Sequence, residues 1–327
     1  MLRRPLPSLA VAMSLAVWAG ACSQDAALDQ GLRVAAVVGL DAPDGPAVDA
    51  AAAAVRTSAA SAVAAFDAHG LAVARRLRAG EQPALRVVAV SEAATPQAGE
   101  TLVVPASAAA AAVDLALLAC HGVALPPKVA LGLRVVDEAN AAAGGSARPA
   151  PGDIGLAVLA RQHAAQLTTQ PTTDVVFRVG LVAADGGDGW PLRAYAAARA
   201  AAARYPQLVV DGGGVSAGGP ALVAAALRER LDANVRVLIV ALADPQPLAA
   251  VAARAAELRI PIVAIDPSLR AAPATCVVGS DPAAVGRALG EAARAALPAD
   301  AAIALLRPQG AEAVEAAFRA ALAPKPQ

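Results

Sequence analysis

From residue 175 onward, short apolar runs alternate with longer stretches in which Ala and Leu recur at helical spacing. Residues 175–182 read as a strand and 191–204 as a helix. A strand over 207–211 leads into "GGGVSAGGP", read as a loop, and then a helix over 220–231. Pro220 suits the first turn of that helix, where its missing N–H costs nothing. "VRVLIVAL" is a strand, 245–258 a helix, "IPIVAID" and "TCVVGSD" strands, and 282–297 a helix. "AAIALLRP" and "GAEAVEAAFRAALA" close the chain as strand and helix. The strands are short, apolar on both faces and separated by helices, which predicts open parallel sheets covered on two sides.

The first half repeats the rhythm. "LRVAAVVGL" is a strand, 47–59 a helix, "SAVAAF" a strand, and "AHGLAVARRLRAG" a helix ending at Gly80. "ALRVVAVS" and "ETLVVP" are strands, 106–121 is an Ala-rich helix, and "PKVALGLRVVD" is one further strand. Residues 138–173 break the pattern: "ANAAAGGSARPAPGD" and "TTQPTT" read as linker around a short helix, "IGLAVLARQHAAQL". The fold class is therefore α/β, with two lobes joined by a mixed segment.

Composition narrows the picture. The 327 residues suffice for two domains at about 100–200 residues each. Aromatics make up 2%, so the core must be built from Val, Leu and Ala. The 27 basic and 27 acidic residues cancel, which argues against a nucleic-acid partner. "MLRRPLPSLAVAMSLAVWAGAC" has Arg3 and Arg4, an apolar run too short for a membrane span, and small residues before a Cys, the form of a secretory signal over 1–22. "AGAC" resembles the lipobox of bacterial lipoproteins, with Ala19 where Leu is usual. The resemblance implies lipid attachment at Cys22, residues 23–30 as a tether, and membrane association through the lipid alone. Simple cleavage before Cys22 is the other reading. Export permits a disulfide between Cys120 and Cys276, and two buried thiols are the alternative. His69, His121 and His163 are isolated and no metal-ligand spacing occurs, so no metal or cofactor is expected.

Several segments resemble the type I periplasmic binding proteins of the ribose- and galactose-binding group. "ADPQPLAAVAARAAELRIPIVAID" is similar to that family's strand end, Asp-Pro, helix and Pro-initiated strand. "VVGSDPAAVGRALGEAA" resembles its V-G-x-D-x-x-x-x-G segment, and "IALLRPQGAEAVEAAFRAALA" the strand and helix that open its C-terminal lobe. "LRVAAVVG", "AVAAFDAHGLAVARRLRAG" and "TLVVPASAAAAAVDLALLACHGVALPPKVALGLRVVDEAN" resemble later elements of that lobe, yet they come first. The resemblance implies two Rossmann-like lobes with parallel sheets and a hinge, their halves in permuted order. Residues 31–137 supply C-terminal-type lobe elements, with helix 106–121 on the other lobe. Residues 138–173 are a linker, 174–300 the N-terminal-type lobe, and 301–327 complete the first lobe. The competing reading is a piece of a tandem fusion whose halves complete each other between two molecules.

In such sheets, ligands bind beyond the carboxyl ends of the strands. Asp185, Asp188, Trp190 and Asp266 follow strands, and Arg270 lies near the last. Carboxylates accept hydrogen bonds from sugar hydroxyls, and a flat aromatic covers the apolar sugar face. Trp190 matches the family's stacking aromatic and Asp266 its acidic or amide residue on the fourth strand, but Pro267 stands where Arg often follows. Asp185 and Asp188 also suit loop and cap chemistry. In the front half, Phe66 replaces the family's Asn before the retained Asp67, Ser91 replaces an Asp, and Val104 or Pro105 an Asn or Gln. Val314 and Glu315 occupy the neighbourhood of its Arg. The implied ligand set is thus Asp185, Asp188, Trp190, Asp266, Arg270, Phe66, Asp67 and Ser91, for a small sugar-like solute passed to an ABC permease or sensed by a membrane partner. G-x-G-x-x-A at 212, 214 and 217 follows a strand, but no acidic residue ends the next strand as a dinucleotide site requires. No nucleophile or metalloprotease motif is present, and the chain reads as a binding protein rather than an enzyme.

Overall fold

The computed structural model describes residues 32–40, 45–80, 82–91, 95–168, 175–184, 189–215, 219–266, 273–308 and 310–323. The signal, Cys22 and the tether lie outside them. The elements run β1 (Arg33–Leu40), α1 (Gly45–Thr57), β2 (Ala62–Ala65), α2 (Ala68–Gly80), β3 (Arg86–Val90), β4 (Glu100–Pro105) and α3 (Ala108–Cys120). Next come β5 (Lys128–Leu131), β6 (Leu133–Asp137), β7 (Ser146–Arg148) and α4 (Pro151–Gln162). The second half holds β8 (Phe177–Ala184), α5 (Trp190–Ala202), β9 (Leu208–Val215), α6 (Pro220–Asp232), β10 (Val237–Leu242) and α7 (Gln246–Glu257). It ends with β11 (Ile262–Ile265), β12 (Cys276–Ser280), α8 (Pro282–Ala296), β13 (Ala302–Pro308) and α9 (Glu312–Leu322).

The strands form two sheets, each drawing on both ends of the chain. One has the order β1-β13-β2-β3-β4-β6-β7 and the other β5-β12-β11-β10-β8-β9. β6 and β7 run antiparallel at one edge of the first sheet, and every other pairing is parallel. Central strands such as β2, β10 and β11 are buried along their whole length, as sheets with helices on both faces demand. Four apolar clusters fill the spaces between sheets and helices. With few aromatics available, they are mainly Leu, Val, Ala and Ile; among the described residues Phe318 is the largest side chain wholly shut from water.

Two helices lie on the sheet opposite to their chain neighbours. α3 leaves the first sheet and packs on α5, β10, β11 and β12 of the second. α8 leaves the second and packs on β3, β4 and α9 of the first. The boundary of the N-terminal-type lobe therefore falls after β12 rather than at residue 300. α8 is placed by its sequence: Asp281 caps it by accepting from the Ala283 N–H at 3.1 Å, and Pro282 opens it.

Three local expectations change. "PKVALGLRVVD" is two strands in different sheets, because the chain crosses between lobes at Gly132. The linker is built: β7 pairs with β6, and α4 packs on β5. "GGGV" continues β9 rather than forming a loop, and a side chain on Gly212 would strike the Leu181 carbonyl of β8. That close strand contact, rather than phosphate binding, explains Gly212.

Candidate functional site

The two sheets meet through their C-terminal strand ends. The chain leaves β4 at Ala106, leaves β5 at Gly132 and leaves β12 at Asp281, in each case toward the other lobe. The Ala106 N–H donates to the Gly132 carbonyl at 3.0 Å, and Leu131 pairs with Ser280, so these crossings lie side by side. Across the lobes, the charge of Arg193, in the helix after β8, acts on Asp67, just after β2. The C-terminal ends of the strands are where open α/β sheets bind ligands.

On the second sheet's wall, Asp266 directly follows β11 and is 8% exposed. Its backbone N–H donates to the Val278 carbonyl at 3.0 Å, holding the main chain at the strand end. Trp190 opens α5, after β8 in the same sheet, and is half-buried. It packs against the core cluster, as do Leu192 and Tyr195. The N-cap residue, Gly189, is left-handed at φ 69°. Arg193, one turn into α5, lays its Nη1 3.2 Å from where a Gly189 side chain would begin. Asp185, Asp188 and Arg270 lie outside the described residues.

On the facing wall, Asp67 is the central group. Its Oδ1 accepts from the Gly70 N–H at 2.8 Å, capping α2, and its Oδ2 lies 3.7 Å from His69 Nδ1. Burial pushes the Asp67 carboxyl above the usual carboxylate range; the Gly70 amide and the charges of His69 and Arg193 counter it without cancelling it. Arg193 belongs to the other lobe, so its field on Asp67 links the two walls. Ser91, after β3, is buried, and its N–H donates to the Val103 carbonyl at 3.0 Å.

Phe66 departs from the expected ligand set. It is 6% exposed and packs against Phe318, with ring centroids 5.6 Å apart, in the cluster beneath α8 and α9. The alternation after β2 turns residue 66 to the core and leaves Asp67 for the candidate site, so Phe66 is structural.

His69, Arg193 and Arg307 were not in the expected set. Arg307 is the second-last residue of β13, with Nη1 2.9 Å from Glu315 and 3.7 Å from Glu312. Its Nε is buried with no hydrogen-bond partner among the described residues. A signal for Arg307 exists in "LLRP", where a charge ends an apolar strand; Arg193 looks in sequence like any exposed helical arginine. Cys120 and Cys276 are free and buried, and burial pushes their thiols up to about 12 and about 11. Among the described residues, no cluster of three or more His, Cys, Asp or Glu is placed to hold a metal.

Residues 179–326 match the family model described as periplasmic binding protein domain. None of the curated proteins matches the chain. Among solved structures, the chain is similar to the Caulobacter myo-inositol binding protein bound to myo-inositol, at 12% identity and a TM-score of 0.38, over 84% of this chain and 71% of that one. It is also similar to full-length LpoA from Haemophilus influenzae, at 10% identity and a TM-score of 0.32, over 72% of this chain and 39% of that one.

Proposed function

We propose that the chain, whose residues 179–326 match the periplasmic binding protein domain model, is a type I periplasmic binding protein that captures a small, sugar-like solute between its lobes. It closes about its hinge and is presented in the periplasm to an ABC-type permease, held at the membrane by a lipid on Cys22. What supports the reading is that Trp190 and Asp266 follow parallel strands of one sheet, Asp67 and Ser91 parallel strands of the other, and the Arg193 charge acts on Asp67 across the lobes. A carboxylate on each wall offers acceptors for hydroxyl groups, and the half-buried indole offers an apolar face. Asp185, Asp188 and Arg270 are proposed to complete the first wall.

We read the chain as a circular permutation of its family's fold. Strand order supports this. Counted from β8 onward and then from β1, the second sheet runs 2-1-3-4-5-11 and the first 7-6-8-9-10-12-13, so the first five strands of each follow the same order. Such rearrangement is tolerated because domain termini lie at the surface and close together.

A second reading, a ligand sensor or non-transport scaffold signalling to a membrane partner, is favoured by one observation. Phe66 lies in the core and Ser91 replaces a carboxylate, so the front wall is poor in polar groups. A thermal-shift screen of sugars, polyols and autoinducer-like compounds tests both. A ligand at 100 times its Kd stabilises by about 2.7 kcal/mol, a readable rise in melting temperature. Asp266→Ala and Asp67→Asn should each abolish that rise for the ligand found. No rise with any compound counts against solute capture and for the scaffold.

A further inference from the structure

The segment that joins the two halves is docked on both lobes. Its first part is fixed to the first sheet. Asp137 and Asn140 exchange hydrogen bonds at 2.9 and 3.0 Å, and Asn140 Nδ2 donates to the Val135 carbonyl at 3.2 Å. The turn then passes through Gly144 and Gly145, both left-handed, at φ 78° and 83°. A side chain on Gly145 would begin 2.8 Å from the Val135 carbonyl oxygen, so only glycine lets the turn lie this close. β7 follows, with Ser146, Ala147 and Arg148 paired to Val135, Arg134 and Leu133, and Arg148 forms an ion pair with Glu291 of α8.

Its second part is fixed to the other sheet. α4 lies on β5, and Leu156 and Leu167 pack into the core of that lobe. Gln207, which is buried, donates through Nε2 to the Thr168 carbonyl at 2.9 Å. Between the two anchorages the chain crosses at Pro149 and Ala150. This crossing stands beside those at Ala106, Gly132 and Asp281. A cavity of about 230 Å³ separates it from them, walled by Leu131 and Leu133, by Arg148 to Ala150, and by Asp281, Arg287 and Glu291.

Any rotation of one lobe on the other must alter this cavity, because its walls come from both lobes and from the joining segment. Hinges move through a few residues that absorb the backbone change. Ala106, Gly132 and Asp281 are such single-residue crossings. A fourth, anchored at both ends, adds a constraint that those three do not impose. We propose that residues 138–168 form a strap that sets the open–closed equilibrium of the lobes, with the Arg148–Glu291 pair as its releasable anchor. The proposal rests on the two-lobed hinge and not on any ligand, so it stands or falls apart from solute capture.

The test measures interlobe distance in the full chain. Spin labels are placed at Thr57→Cys on α1 and Glu257→Cys on α7, with Cys22→Ser so that the buried Cys120 and Cys276 are the only other thiols. A protease recognition sequence is inserted between Pro149 and Ala150, and distances are read by pulsed electron resonance before and after cutting the folded protein. The expected result is a broader distribution with a shifted mean after cutting, while the circular dichroism of the nicked protein is unchanged. Arg148→Ala, uncut, should shift the mean less and in the same direction, and the exchange Arg148→Glu with Glu291→Arg should restore it. If cutting leaves the distribution unchanged, the strap does not set the equilibrium. If cutting unfolds a lobe, the segment is part of that lobe's core instead, and an unshifted distribution in Arg148→Ala then overturns the proposal.

Discussion

Glu100 opens β4 with its side chain wholly shut from water, and its charge is answered by two arginines. Arg75 donates through Nε at 2.9 Å and Nη2 at 2.7 Å, Arg78 through Nη1 at 3.3 Å, and the Gln97 N–H at 2.9 Å. Burial alone would raise this carboxyl, but those hydrogen bonds and the charges of Arg75 and Arg78 hold it below the usual range. Because the folded value is depressed, its stabilisation is complete above the ordinary glutamate range and is lost as pH falls through the folded value. Glu100→Gln should cost about 3 kcal/mol at pH 7, the low end for breaking a buried pair, since Arg75 and Arg78 can turn to water. Urea titrations from pH 7 down should show the gap between variant and parent closing in acid. Asp114 has the opposite sign. Burial raises its carboxyl against the Tyr205 hydroxyl, which donates at 2.8 Å, and against the Arg204 charge. A raised value means that the favourable contribution belongs to the protonated form and is lost as pH rises through the folded value. Asp114→Asn should therefore unfold no earlier than the parent at pH 7, whereas Asp114→Ala, which strands the Tyr205 hydroxyl, should unfold earlier. Neither carboxylate stands out in sequence. The partners of Glu100 are 25 and 22 residues away, and Tyr205 is 91 residues from Asp114, so local pattern carries no sign that they are buried.

At the scale of elements, α8 and α9 pack closely because α8 carries Gly286 and Gly290 on the shared face. A side chain on Gly286 would run into the Val314 carbonyl oxygen and come within 2.8 Å of the Ala317 methyl, and one on Gly290 would begin 2.6 Å from the Ala321 methyl. Gly286 closes the V-G-x-D-x-x-x-x-G segment whose Asp281 caps the same helix, so one short motif fixes both the start of α8 and its distance from α9. Gly155 in α4 is the contrast, since nothing lies within 4 Å of where its side chain would begin. Gly155→Ala should stabilise by about 0.5–1 kcal/mol, the ordinary gain in helix propensity. Gly286→Ala should destabilise, because overpacking of about 1–3 kcal/mol against a backbone that cannot rotate away exceeds that gain. Chemical denaturation of the pair reads both signs. Element type was legible wherever one period held for a whole run: "AHGLAVARRLRAG" and "ETLVVP" match α2 and β4 to the residue. It failed where an apolar run served two sheets. In "PKVALGLRVVD" the only mark of the crossing is Gly132, and an isolated glycine in a strand pattern equally suits a bulge.

The whole molecule depends on contacts between residues far apart in the chain. β1 lies parallel to β13 from Arg33↔Ala302 to Leu40↔Pro308, and α9 follows β13 directly. In chain order that β13–α9–β1 unit is broken, although in space it has the form of a strand, a crossover helix and a neighbouring parallel strand. The position of Asp67 in the candidate site follows from this, because β2 sits beside β13. Asp266 and Asp67 were readable as residues at strand ends. That their strands belong to different sheets was readable only through the family resemblance, because periodicity specifies strands without their neighbours. If order along the chain is dispensable, it can be restored. A chain that starts at Val175, runs to Ala323, passes through a short Gly/Ser linker to Leu32 and ends at Thr168 retains every described element and opens the chain between 168 and 175. Its new joint links the end of α9 to the start of β1, where the Arg33 N–H meets the Ala301 carbonyl just before β13. The rearranged protein should keep the parent's circular dichroism and a single cooperative melt, because it breaks none of the pairings in either sheet. A product with helical signal but no cooperative transition would mean that β1 and β13 do not form one unit, and the permuted reading would fall with it.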